Sequence, residues 1–236
     1  MRSEIAKHLD HDPHFEWRGQ NVTRLENLSD IVFALALGML LLTDTPPSTY
    51  SELIAFLTNI VPVAAGFAIL FGIWNAHFIF FRRYGLADGK VVFLNSLILL
   101  LVLFVAYPLR FIFDSLFGYV IFLLTEDATR LMASEMDIET SAQGVAIFNA
   151  GFAMIIYLTS LMYAHALSKR DMLGLSPNEI QASKRTMWRY RGETAIAALT
   201  AILAITTPLG PFAGAFLALS WPNAVFWRKR FKLIDP

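Results

Sequence analysis

The chain has 236 residues, 56% of them hydrophobic and only 16% charged, with a mean hydropathy of +0.53. A soluble domain carries roughly a quarter of its residues as charges, so lipid is the expected solvent, and the 20 Phe, 7 Tyr and 5 Trp exclude a disordered chain. There is no cysteine, which excludes a disulfide scaffold, thiolate catalysis and Cys-based zinc sites, and the 19 basic and 19 acidic residues leave no net charge to indicate a partner.

A membrane-crossing helix needs about 20 predominantly apolar residues, and six candidates follow in chain order: 26–43, 52–80, 91–113, 145–167, 192–208 and 211–227. The second is long enough to tilt or to project from the bilayer. The last two, separated by Gly210 between Pro208 and Pro211, read as a tight helical hairpin. The polar stretch Met1–Gln20 does not resemble a signal peptide.

The connections alternate in charge. Arg2, Lys7, Arg18 and Arg24 precede the first span, and Thr43–Ser51 has no Lys or Arg. Arg82, Arg83 and Lys90 follow the second span, whereas 114–144 holds only Arg130 against six acidic residues. Lys169, Arg170, Lys184, Arg185, Arg189 and Arg191 form the fourth connection. The fifth has no basic residue, and Arg228, Lys229, Arg230 and Lys232 close the chain. This alternation predicts an all-α polytopic membrane protein of six transmembrane helices with both termini cytoplasmic. It comprises a cytoplasmic segment 1–23, a membrane domain 24–227 and a basic cytoplasmic tail 228–236. Leu116–Leu124 is too short to span and is expected in the outer interface or against a neighbouring helix. No three-helix repeat is visible, which argues against an inverted-repeat transporter core.

Polar residues inside spans are costly and usually face protein or water. Arg24, Ser29 and Asp30 open the first span, where Asn27 or Ser29 is placed to cap the helix and Asp30 to favour its dipole. His77, in Trp74-Asn75-Ala76-His77, lies near the basic end of the second span, and Asn95 lies at the corresponding end of the third. Arg24, Asp30, His77 and Asn95 thus fall at similar depths, and a hydrogen-bonded cluster of the four is expected as a fixed joint between helices. His165 reads as an ordinary interface residue, and Glu193 is expected to pair locally, just after Arg189 and Arg191.

Arg24-x-x-x-Leu28-Ser29-Asp30 resembles the Arg-x-x-x-Phe-Ser-Asp signature of the transmembrane protein 175 family of potassium channels, which are lysosomal in animals and also occur in prokaryotes. Trp74-x-x-His77 and the Asn95…Pro108 third helix fit the same family, as does the six-span plan. The single set of six spans resembles the prokaryotic type. The resemblance implies a homotetramer in a prokaryotic plasma membrane, with first helices lining the pore, potassium as the permeant ion and lipid as the surroundings. It also implies that Arg24, Ser29, Asp30 and His77, with Trp74 and Asn95, support the pore helix, so that Asp30→Ala is expected to abolish assembly or surface expression. Two positions depart: Leu28 stands for the signature Phe, and Gly38 stands where many relatives carry Thr, removing a hydroxyl that could face passing ions.

Ile31, Leu35, Gly38 and Leu42 recur at three or four residues and form one stripe. Such a stripe on a membrane helix is ordinarily a packing face. The resemblance makes it the pore lining, with Leu35, five residues after the signature Asp, at the constriction. The Thr-Val-Gly-Tyr-Gly carbonyl filter of ordinary potassium channels is absent from the sequence. Two other functions compete: a proton-coupled secondary transporter using Asp30 and His77, and an intramembrane enzyme using them as acid and base. The enzyme lacks a nucleophile or metal set. His8, His11 and His14 form a weak metal-binding pattern in the tail, no cofactor is expected, and no phosphate-binding loop or other sign of nucleic-acid or nucleotide binding occurs.

Overall fold

A computed structural model describes residues 15–19, 21–40, 47–126 and 137–233, apart from the side chain of Ala55. These residues form seven α-helices and one 3-10 helix: α1 (Arg24–Met39), α2 (Tyr50–Thr58), α3 (Ile60–Tyr84), α4 (Gly89–Thr125), α5 (Ile138–Ser168), α6 (Pro177–Thr206), η1 (Gly210–Leu219) and α7 (Ser220–Arg230). Leu42 and the three tail histidines His8, His11 and His14 lie outside the described residues.

Local chemistry explains most of the boundaries. Three helices open with a reciprocal capping box, Thr23 with Glu26, Thr49 with Glu52 and Ser176 with Glu179, the last followed by Pro177 where a missing N–H costs nothing. Asp88 and Asp137 cap α4 and α5. Gly85 ends α3 in the left-handed conformation, at φ 59°. The cap of α1 is Thr23, not Asn27 or Ser29 as the sequence suggests. Thr23 has the extended backbone a cap requires, and both alternatives lie inside the helix.

Four expected spans take a different form. The second is two helices, parted at Asn59, because Pro62 has no N–H to donate to the carbonyl one turn back. The third does not stop near 113: α4 runs through Leu116–Leu124 to Thr125, with no proline in that stretch, and is about 55 Å long. The last hairpin is asymmetric. Its first arm, α6, starts at Pro177, well ahead of the apolar run, and its second arm begins as ten residues of 3-10 helix that start at Gly210, which has φ 53°.

Among the described residues, three helices, α3, α4 and α5, are long and apolar enough to cross a membrane. α5 packs on both α4 and α6, and α1 packs against α4 and α3. Close backbone approach requires Gly151 at the first of these contacts, where a Cβ would lie 2.5 Å from Val105. At the contact of α5, α6 and η1 the packing is through small side chains, among them Ala146, Ala201, Ala204 and Ala213.

The basic connections gather at one end of the bundle. There Tyr84 of α3 shares a 2.5 Å hydrogen bond with Ser183 of α6, and the rings of Phe80, Tyr84, Tyr163 and Tyr190 meet edge to face or tilted. Asp88 meets His165 at 2.7 Å, so His165 ties α5 to the start of α4 and is more than an interface residue. Burial would raise the Asp88 carboxyl, but His165 and the Val91 amide hold it below its usual range. The hairpin closes through Glu193, which accepts from Ser220 Oγ (2.5 Å) and Asn223 Nδ2 (3.0 Å) across the two arms. This replaces the local pairing with Arg189 or Arg191 that the sequence suggests. Arg191, two positions away, points to another side of the helix, and the opposing arm places two donors directly on the carboxylate. Trp188 and Trp227 stack across the same hairpin at 5.4 Å.

Candidate pore helix and its polar joint

α1 has two unlike faces. At 100° per residue, Glu26, Ser29, Asp30 and Phe33 fall within about 100° of arc, and Leu28, Ile31, Leu35 and Gly38 share an arc of about 80° on the opposite side. The first face meets the other helices. The second does not: Ile31 is 66% exposed, Leu35 56% and Leu28 51%, and a Cβ added to Gly38 would meet nothing within 4 Å. Phe33, Ala36 and Leu40, on the inner side, are almost fully buried.

The structure brings Ser29, His77 and Asn95 together in one buried relay across three helices. Asn95 Nδ2 donates to Ser29 Oγ at 3.0 Å, and Ser29 Oγ donates to the Leu25 carbonyl at 2.8 Å. Asn95 Oδ1 lies 2.6 Å from His77 Nε2. Because the Asn95 amide nitrogen is already donating, its oxygen accepts, and this assigns the imidazole proton to Nε2. Aromatic rings enclose His77, with Phe81 at 4.7 Å and Phe33 at 5.7 Å. The chain α3–α4–α1 is thus tied by neutral groups, which avoids the cost of an ion in an apolar setting.

Asp30 stands apart from that relay. Its Oδ1 accepts from Trp74 Nε1 at 2.8 Å on the exposed side of the α1–α3 contact. Trp74 continues an aromatic ladder on α3, with Phe71 at 5.2 Å and Phe78 at 5.5 Å. The expected cluster is therefore two sets, His77–Asn95–Ser29 and Trp74–Asp30. Arg24 joins neither. It is exposed, and the 3.6-residue period carries it onto the arc of Leu28, Ile31 and Leu35, away from α3 and α4.

Sequence reasoning missed two residues of this joint. Glu26 is buried, and its Oε2 is 3.1 Å from Arg82 Nη2. The charge alternation reads Arg82 only as a topology residue. The signal for Glu26 is present in Thr23-x-x-Glu26, a capping-box spacing immediately before an apolar run. No local pattern announces Arg82, which reaches Glu26 only because α3 ends beside the start of α1. Among the described residues, no group of three or more His, Cys, Asp or Glu side chains is arranged to hold a metal ion.

Comparison with known proteins places this joint in a family. The family model described as "Endosomal/lysosomal potassium channel TMEM175" matches residues 24–106, which run from the start of α1 through most of α4 and include every residue of the relay. A protein of Marivirga tractuosa named "Potassium channel" is 30% identical over 221 residues, covering 92% of this chain and 89% of the relative. A crystal structure of the potassium channel MtTMEM175, as a point variant in complex with a nanobody–MBP fusion protein, superposes with a TM-score of 0.79 at 29% identity, covering 93% of this chain and 97% of that one. Likeness over nearly the whole of both chains, together with a match centred on the helices that carry the joint, shows that this integral membrane protein belongs to the TMEM175 channel family.

Proposed function

We propose that the chain is one subunit of a passive, potassium-preferring cation channel, a homotetramer in a prokaryotic plasma membrane whose pore is lined by four copies of α1. The observation that carries this reading is the division of α1 into a face bonded to its own subunit and an apolar face exposed in the single chain. Membership of a channel family argues against an enzyme, and the relatives named as potassium channels support potassium as the permeant ion.

In this arrangement six passes cross the bilayer. To α3, α4 and α5 are added α1, the apolar half of α6 and the run η1–α7, whose ten 3-10 and eleven α residues together rise about 36 Å. The basic end, with Arg82, Arg83 and Lys169, faces the cytoplasm together with both termini. Trp188 and Trp227, with Arg228, Lys229 and Arg230 beside them, occupy the lipid interface on that side. Residues 1–23 and 228–236 flank the membrane domain.

Leu35 forms the narrowest ring, flanked one turn away by Ile31 and on the far side by Gly38, the rings being roughly 5–6 Å apart. A collar of leucines supplies no ligand to an ion. It closes by excluding water and opens by a small dilation that admits hydrated ions. Preference for potassium then comes from its lower cost of partial dehydration relative to sodium. Gly38 leaves the next ring wide and without a side-chain hydroxyl. The transporter alternative requires Asp30 and His77 to exchange a proton, and their hydrogen bonds instead commit them to separate partners, Trp74 and Asn95.

The absence of cysteine makes the test direct. Leu35→Cys introduces one thiol per subunit, and a charged methanethiosulfonate reagent is expected to block its current. Phe33→Cys, on the buried face, should remain insensitive. Equal sensitivity at both positions, or block at Phe33→Cys alone, would reject α1 as the pore lining.

A further inference from the structure

The geometry points to Arg82 as a positioning residue for the pore helix: by gripping Glu26 and the Gly19 backbone at once, it sets where the first turn of α1 sits and so biases the pore between closed and conducting. This inference rests on the proposed role of α1. Glu26 uses its two carboxylate oxygens differently. Oε1 completes the helix cap, accepting from Thr23 N at 2.9 Å and Thr23 Oγ1 at 3.0 Å, while Oε2 faces Arg82 Nη2 at 3.1 Å. The other arm of the guanidinium, Nη1, donates to the Gly19 carbonyl at 2.7 Å, and Gly19 N donates back to the Arg82 carbonyl at 3.0 Å. One side chain on α3 therefore holds the main chain just before α1 and the first turn of α1 itself.

The surroundings leave this grip little play. A Cβ at Gly19 would collide with the Phe81 carbonyl oxygen, so the segment lies flat on the end of α3. The Arg82 guanidinium rests 5.3 Å above the Phe78 ring, and the side chains of Arg82 and Glu26 are only 12% and 9% exposed. Upstream, Arg18 pairs with Glu179 through both nitrogens, at 2.7 and 2.9 Å, and donates to the Leu173 and Gly174 carbonyls. The segment 15–19 is thereby strapped to the α5–α6 turn as well as to α3. Ser29, Asp30 and Phe33 hold the same face of α1 further along, so the helix responds as one rigid body, and a change of the Glu26–Arg82 contact at its first turn is passed on to the Leu35 ring. Arginine suits the position because the two contacts need two separate N–H groups, which a lysine ammonium does not present in a fixed fork.

Single-channel recording of the reconstituted full chain tests this. Glu26→Gln and Arg82→Gln should each shift the open-to-closed ratio by about tenfold while leaving the potassium–sodium reversal potential unchanged. The double variant should shift it no further than the larger single change, because both act through one pair. Arg82→Lys, which keeps the charge but not the fork, should fall between wild type and Arg82→Gln, and it is the variant to read should Arg82→Gln fail to assemble. An unchanged open probability in both Glu26→Gln and Arg82→Lys, or single effects that multiply in the double variant, would overturn the inference. Leu35→Cys in parallel patches separates the two readings. Thiol block there with unaltered gating in the Glu26 and Arg82 variants rejects the positioning role alone, whereas no block at Leu35→Cys rejects the pore assignment beneath it.

Discussion

The two faces of α1 differ in what a single chain gives them. On one, Glu26, Ser29, Asp30 and Phe33 each find a partner on α3 or α4, in part through neutral hydrogen bonds that leave no charge stranded. On the other, Leu28, Ile31 and Leu35 are more than half exposed within the subunit. The difference shows how one helix serves two ends. Its fold is secured from one side, which leaves the composition of the other side free to serve the pore lining proposed above.

That division can be broken from either side. The largest effect is expected for Asn95→Leu, which removes the centre of the relay and leaves the His77 and Ser29 polar groups buried without it. The expected cost is about 2–3 kcal/mol, read as a lower midpoint of thermal unfolding in detergent. Full retention of the midpoint would show that the relay contributes nothing to holding α1. A smaller loss, about 1–2 kcal/mol, should follow Gly192→Ala in the hairpin. The new Cβ would collide with Asn223 Oδ1, and Asn223 cannot turn aside without giving up its bonds to the Arg189 carbonyl and Glu193. The same melt checks it, and the reversal potential should not change.

Acid provides a gentler probe of the strap. Burial by itself would raise the Glu179 carboxyl, but Arg18 and the amides of Ser176 and Glu16 hold it below its ordinary value of 4.5. A depressed carboxylate contributes stability that is present above the ordinary value and lost as pH falls through the lower, folded one. The protection of the Glu16 amide against exchange, taken relative to an unstructured chain at the same pH, is therefore expected to hold down to about pH 4.5 and to fall only below it. A loss of that protection already near neutrality would contradict the link. The smallest effect belongs to Arg24→Gln. Exposed on the outer arc, Arg24 should alter the stability of the subunit by no more than about 0.5 kcal/mol, whatever it does to assembly, and a larger loss in the isolated subunit would place it in the joint after all.

Much of this architecture is legible in the sequence, for identifiable reasons. The apolar runs show where long helices lie, and Asn95, His77 and Ser29 stand out because polar residues inside such runs need partners. What cannot be read depends on relations between distant segments. Arg24 and Arg82 are both basic residues beside an apolar run, and only the packing of α3 against the start of α1 gives Glu26 to Arg82. Glu193 finds its donors on the opposite arm of a hairpin whose register no local pattern fixes. The break at Asn59 is accessible from Pro62, whereas the extension of α4 past residue 113 is not, since the polar residues Arg110, Asp114 and Ser115 look the same whether a helix ends there or continues.

The central claim is that α1 turns its exposed face to an ion path. Its most direct test is the bi-ionic reversal potential, measured with potassium and sodium on opposite sides of a planar bilayer, for the wild type and for Leu35→Ala. The account predicts a potassium-favouring reversal in the wild type that collapses toward zero when the leucine collar is cut back. An unchanged reversal potential in Leu35→Ala, or proton-coupled uptake without passive current, would contradict it.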